Sequence, residues 1–225
     1  METGKKKFGI KEIACIGMFC ALAYAVMALS KLIPVNIAGF LNLDFKDVIV
    51  AICGFLFGPV PAVIVSMIVS LIEMITISST GPIGLLMNVI STCAFVVPAA
   101  IFYRSKRKFS SAVIGLIIGL FCMTAIMILW NWLITPLYMG VGREEVVSML
   151  LPVFLPFNLV KGAMNAAVTL LLYNPIVTAL RKAKLVEKST STAPKKKGLS
   201  LGVTLISIFI IISLVLVVLA WTGVI

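Results

Sequence analysis

Asn158, Lys161 and Asn165 recur at spacings of three and four, so an α-helix sets all three on one face. They sit in an apolar run that continues to Tyr173, which puts a lysine inside a segment fit to cross a bilayer. A lysine near the centre of a spanning helix costs at least roughly 2.5–3.5 kcal/mol to insert. Lys161 lies nine residues past Pro152, where the run begins. At helical rise that is about 14 Å, too deep for its stem to reach the interface easily. Two readings account for the three polar groups: a knot of interhelical hydrogen bonds, or the lining of a polar cavity. The depth favours the cavity.

Other apolar segments carry polar groups of the same kind. Glu73 shares a helix face with Ser66 and Ser70, Asn88 stands near Ser91 and Thr92, and Asn131 falls on one face with Thr135. Glu73, Asn88, Asn131, Asn158 and Lys161 all belong to the outer halves of their segments. Such a convergence at one depth points to a pocket that opens outward. Side-chain amides donate and accept hydrogen bonds together, which suits the edge of a heterocycle. Phe40, Phe45, Trp130, Trp132 and Phe157 offer stacking surface. These groups describe a flat, uncharged, amphipathic ligand without identifying it.

Other chemistries lack their residues. The sequence has no GxxxxGK[ST] phosphate loop, and with no histidine it has no HExxH metal site. Cys15, Cys20, Cys53, Cys93 and Cys122 lie in apolar segments without CxxC spacing and read as small buried hydrophobes. No base is placed to activate a serine. The chain is therefore not read as an enzyme, and neither a metal nor a cofactor is expected.

The elements that position these residues are set by composition. A chain of 225 residues that is 61% hydrophobic, with a mean hydropathy of +1.19, is an integral membrane protein. Long apolar runs without alternation mean helices, not a barrel. The net charge of +11 does not indicate nucleic acid, because fifteen of the nineteen basic residues fall in three clusters on one side of the membrane. These are Lys5 to Lys11, Arg104 to Lys108, and Arg181 to Lys197. By the positive-inside rule that side, with the amino terminus, is cytoplasmic. Lys31, Lys46 and Arg143 fall on the other side. The first thirty residues resemble a signal peptide but are read as a retained helix, since further spans follow in register.

The fold predicted is all-α: a six-helix transmembrane bundle with an appended seventh helix. The first helix, from about Lys11 to Leu29, carries Ala14, Gly17, Ala21, Ala25 and Ala28 as a small-residue stripe that lets another helix approach closely. Spacing alone does not say whether the helix it meets belongs to this bundle or to a partner. A loop from Ser30 to Lys46 follows, broken by Pro34, Asn36 and Gly39, and its end has the mixed character of a lid. Asp47 to Phe57 is too short to cross upright, and Gly58-Pro59 turns the chain into a helix from Val60 to Ile77. Further helices are expected from Ile83 to Tyr103, Ser110 to Pro136, and Pro152 to Ala179, with Leu137 to Leu151 as an outer connection. Residues 1–182 form the bundle, 183–198 a basic low-complexity linker, and 199–225 the extra span, whose carboxy terminus lies outside.

Several of these stretches resemble a known family. Phe40-Leu41-Asn42-Leu43-Asp44-Phe45-Lys46-Asp47 and Phe55-Leu56-Phe57-Gly58-Pro59 are similar to the first loop and second helix of riboflavin-specific substrate-binding subunits of energy-coupling-factor vitamin transporters. Asn131-Trp132-Leu133-Ile134-Thr135-Pro136-Leu137-Tyr138 and Leu155-Pro156-Phe157-Asn158-Leu159-Val160-Lys161-Gly162 match the same family at the expected places. The resemblance covers about Lys11 to Leu180 and implies a bacterial cell-membrane subunit that binds riboflavin from outside. It further implies a shared transmembrane coupling subunit and two cytoplasmic ATPase subunits as partners. The stripe on the first helix would dock the coupling subunit. Asn131, Asn158 and Lys161 would contact the vitamin, while Leu43, Asp44 and Phe45 would close over it. Ser70 and Glu73 stand where relatives often carry a lysine, and the seventh span lies outside the six-helix pattern.

Overall fold

In a computed structural model that describes residues 9–32, 36–37, 41–78, 80–183, 185 and 201–221, the chain is a helical bundle. Its helices are α1 (Ile10–Leu32), α2 (Lys46–Phe57), α3 (Pro59–Thr76), α4 (Gly81–Lys106), α5 (Phe109–Met139), α6 (Arg143–Met149), α7 (Leu155–Lys182) and α8 (Leu201–Trp221). Among the described residues, six helical stretches are long and apolar enough to cross a membrane. The first loop holds two short antiparallel strands, β1 (Asn36–Ile37) and β2 (Leu41–Asn42), paired Asn36 to Asn42. Pro34, Gly39, Phe40, Lys5 to Lys7 and most of the basic linker lie outside the described residues.

The helix too short to span is the centre of the bundle. Every residue of α2 from Lys46 to Phe55 is buried, with α1, α3, α4 and α7 packed around it. Its twelve residues reach only about 18 Å. Burial on all sides explains why its sequence has no polar face. Gly58 then takes φ 100°, a left-handed region open to glycine, and Pro59 begins α3 at the position where its missing N–H costs nothing.

Two glycines weld α4 to α5. A Cβ on Gly119 would stand 2.1 Å from the Phe95 carbonyl oxygen, and one on Gly115 would stand 2.9 Å from that of Ala99. Only hydrogen fits there, so the two backbones approach closely over this GxxxG pair. That contact fixes the spacing between α4 and α5, which supply opposite parts of the cleft described below.

Three boundaries differ from the sequence expectation. Helix α5 runs through Pro136 to Met139, and Gly140 caps it by donating its N–H to the Pro136 carbonyl at 3.0 Å. A single lost hydrogen bond is tolerable where neighbouring helices restore the packing. The outer connection after it is partly helical as α6. A π-helical turn, Leu150–Phe154, then leads directly into α7, and Pro152 falls inside it. The wider turn accommodates a residue that has no N–H to give.

On α1, Cys15, Ile16, Phe19, Cys20, Ala23 and Met27 face the bundle. Ala14, Gly17, Ala21 and Ala25 are exposed, Ala28 is half-buried, and a Cβ on Gly17 would meet nothing within 4 Å. The small-residue stripe therefore faces away from the bundle. Helix α8 lies against α7 and antiparallel to it: Thr204 is beside Pro175 and Lys182, while Val218 is beside Met164 and Phe157.

Candidate functional site

The loop before α2 carries Asp44 to Lys161 of α7. Asp44 Oδ2 accepts from Lys161 Nζ at 2.8 Å, and both side chains are buried. Asn165, one turn further along α7, donates to the Asp44 carbonyl at 3.2 Å and to the Lys161 carbonyl at 3.0 Å. The next residue of the loop, Phe45, donates its N–H to Ser30 Oγ at 3.4 Å. Burial by itself would raise the Asp44 carboxyl, but the ammoniums of Lys161 and Lys46 and the Lys161 hydrogen bond outweigh it and lower the group to about 2. The loop is thus clamped by an ionic pair that burial strengthens.

A second ionic group lies on the neighbouring side. Glu73 of α3 accepts from Lys46 Nζ at 3.0 Å, from Asn88 Nδ2 at 2.9 Å, and pairs with Lys31 Nζ at 2.9 Å. Thr92 donates to Asp47 Oδ1 at 2.6 Å. Three lysines, Lys31, Lys46 and Lys161, are therefore held in one nest by two carboxylates, Glu73 and Asp44. Buried charges persist only with such compensation.

Between these groups is a cleft of about 110 Å³, lined by Leu41, Asn42 and Asp44 from the loop. Lys31, Glu73, Asn88 and Ser91 line it from α1, α3 and α4, and Met127, Asn131, Phe157, Asn158 and Lys161 from α5 and α7. Asn158 gives one amide N–H to the Phe154 carbonyl at 2.8 Å, and Asn131 gives one to that of Met127 at 2.7 Å. Each amide keeps a second N–H for the cleft. Asp44 Oδ1 and Asn165 Oδ1 are buried acceptors with no hydrogen-bond donor among the described residues.

Of the residues singled out from the sequence, Asp44, Glu73, Asn88, Asn131, Asn158 and Lys161 come together here. Thr135 does not line the cleft; its hydroxyl donates to Asn131 Oδ1 at 2.8 Å and orients that amide. Leu43 and Phe45 point to the other side of the extended loop, against α7 and α8, because successive residues of such a chain alternate. Of the aromatic residues, only Phe157 lines the cleft among those described; Trp130 packs on the core, and Arg143 lies 5.0 Å over the exposed Trp132 ring. Sequence reading placed Lys46 in the outer aqueous layer, whereas its side chain is buried on Glu73. A charge beside Asp44 and Asp47 was the available signal, but nothing local announced a partner on α3.

The cleft is small for a ligand site. Pockets for drug-sized ligands hold about 300–1,000 Å³. Leu41, Asn42 and Asp44 of the loop form one wall, and the other walls are packed helices.

Comparison with known proteins agrees with this architecture. Residues 11–173 match the model of the ECF transporter substrate-specific component family. The chain is 29% identical over 189 residues to the riboflavin transporter RibU of Staphylococcus aureus (strain TCH60), covering 80% of this chain and 99% of that protein. It is 25% identical over 173 residues to the riboflavin transporter FmnP of Bacillus subtilis (strain 168), covering 73% and 90%. A solved S component of a bacterial ECF transporter superposes with a TM-score of 0.64 at 31% identity, covering 76% of this chain and 98% of that one. With its long apolar helices and its charged nest enclosed beneath the first loop, this multi-pass membrane protein belongs to the substrate-specific components of ECF transporters.

Proposed function

We propose that the chain captures riboflavin at the outer face of a bacterial cell membrane for uptake driven by partner subunits. The observation that carries the reading is the meeting of Asn131, Asn158 and Lys161 with Asn88 in one cleft beneath a clamped loop. Amide groups from three helices suit the alternating donors and acceptors of a flavin edge, and Phe157 offers a face for its ring. Hydroxyl donors of the ligand suit the buried acceptor Asp44 Oδ1, whose residue lines the cleft. Relatives named as riboflavin transporters support the choice of this vitamin.

Asp44 serves as the latch of the loop, and opening requires that its bond to Lys161 break. The exposed stripe Ala14, Gly17, Ala21 and Ala25 on α1 docks a transmembrane coupling subunit, which links the chain to two cytoplasmic ATPases. The chain itself carries no phosphate loop for ATP.

Purification in mild detergent tests the reading. The preparation is expected to be yellow and to quench flavin fluorescence on titration with riboflavin. Asn158→Leu should weaken binding by about 1–3 kcal/mol while leaving the protein folded. A folded protein that neither carries nor binds a flavin overturns the proposal.

A further inference from the structure

Helix α8 lies beyond the family-matched residues 11–173, and what it touches gives it a role. Most of α8 faces outward, yet Val218 is only 4% exposed. Val218 packs in one cluster with Phe157, Val160 and Met164 of α7, together with Leu41, Leu43 and Phe45 of the first loop. Phe157 and Leu41 also line the cleft, so one layer of side chains separates α8 from the binding site. On the opposite side of Leu43 and Phe45 from the cleft is an apolar crevice of about 400 Å³. Its far wall is Val215, Val218 and Leu219 of α8. A loop that swings off the cleft has to move Leu43 and Phe45 into this space.

We infer that α8 is a brace for the loop, and that Val218 is a positioning residue setting how readily residues 41–45 open. The inference rests on the reading that this loop closes over the ligand. The Asp44 and Lys161 pair holds the loop from the polar side, and α8 holds it from the apolar side. Val218, Leu43 and Phe45 lie outside the cleft, so weakening the brace changes the rates of entry and exit together and leaves their ratio nearly constant.

The test uses the full chain with its five cysteines replaced and Ser91, a cleft-lining residue, changed to cysteine. Maleimide labelling of that cysteine without ligand reports loop opening independently of any flavin. Val218→Ala is expected to speed labelling by about three- to tenfold, the effect of a small cavity whose cost falls on the closed state. Leu216→Ala, at a lipid-facing position of the same helix, should leave labelling unchanged. Stopped-flow flavin quenching should show riboflavin association and dissociation accelerated by similar factors in Val218→Ala. Unchanged labelling in Val218→Ala overturns the brace, as does equal acceleration by Leu216→Ala. If labelling responds as expected but no flavin binds, the brace stands and the choice of riboflavin falls.

Discussion

Lys161 and Asp44 are 117 positions apart in the chain and meet at 2.8 Å with both side chains buried. Removing one partner leaves the other charge in a poor solvent. Lys161→Met is therefore expected to cost about 3–5 kcal/mol, expressed first as loop opening and then as a lower unfolding midpoint. Asp44→Asn combined with Lys161→Met should recover most of that loss. A double variant as unstable as the two single losses added together, measured by thermal unfolding in detergent, contradicts the pairing.

Acid should open the same latch only late. The Asp44 carboxyl lies at about 2 in the folded protein against an ordinary 3.8, so its stabilisation is present above the ordinary value and is lost as pH falls toward 2. Riboflavin affinity should thus be flat from about pH 8 to about pH 5 as far as this group is concerned. Binding titrations from about pH 8 down to about pH 3 in the native protein and in Asp44→Asn check it. The native protein alone should show the latch's acid step below pH 4.

The proposed docking role of the α1 stripe is tested by substitutions that separate capture from coupling. Ala21→Leu and Ala25→Leu place bulky groups on an exposed face, so the purified protein should bind riboflavin with unchanged affinity. Uptake by cells that carry the coupling partners should collapse. Loss of binding in detergent would instead mean that the face supports the fold.

Gly119→Ala brings a methyl group against the Phe95 carbonyl oxygen. Forcing α4 and α5 apart should cost about 1–3 kcal/mol. Because Asn88 and Asn131 ride on those two helices, flavin affinity should fall together with the unfolding midpoint. A variant with native affinity and lowered stability would show that the crossing does not set the cleft.

Orientation can be tested by chemical labelling. In a cysteine-free background, a cysteine at Ser105 should resist an impermeant reagent in intact cells, whereas one at Val141 should react. Reaction at Ser105 from outside reverses the proposed topology.

The helices were legible because a bilayer demands long apolar runs, and Gly58-Pro59 announced its turn without help from tertiary structure. Asn158, Lys161 and Asn165 were legible as a face because helical spacing is local. The identity of their partners was not, since Asp44 reaches Lys161 across 117 positions of the chain and no pattern of spacing records such a meeting. Lys46 shows the same gap: it reads as an interfacial charge until Glu73, from another helix, draws it inside. Leu43 and Phe45 looked like parts of a lid over the ligand. The alternation of an extended segment turns their side chains toward α8, a helix whose uniform apolarity gave no hint of which face would be covered.

The ion pairs beneath the first loop have an electrical meaning. Carrying one unbalanced charge through the full membrane field costs about 2.3 kcal/mol per 100 mV. Here Lys161 pairs with Asp44 at 2.8 Å and Lys46 with Glu73 at 3.0 Å, so each of these buried lysines sits beside an opposite charge. A neutral guest that enters or leaves moves no net charge with it, so the resting voltage of a cell neither pulls the guest in nor pushes it out.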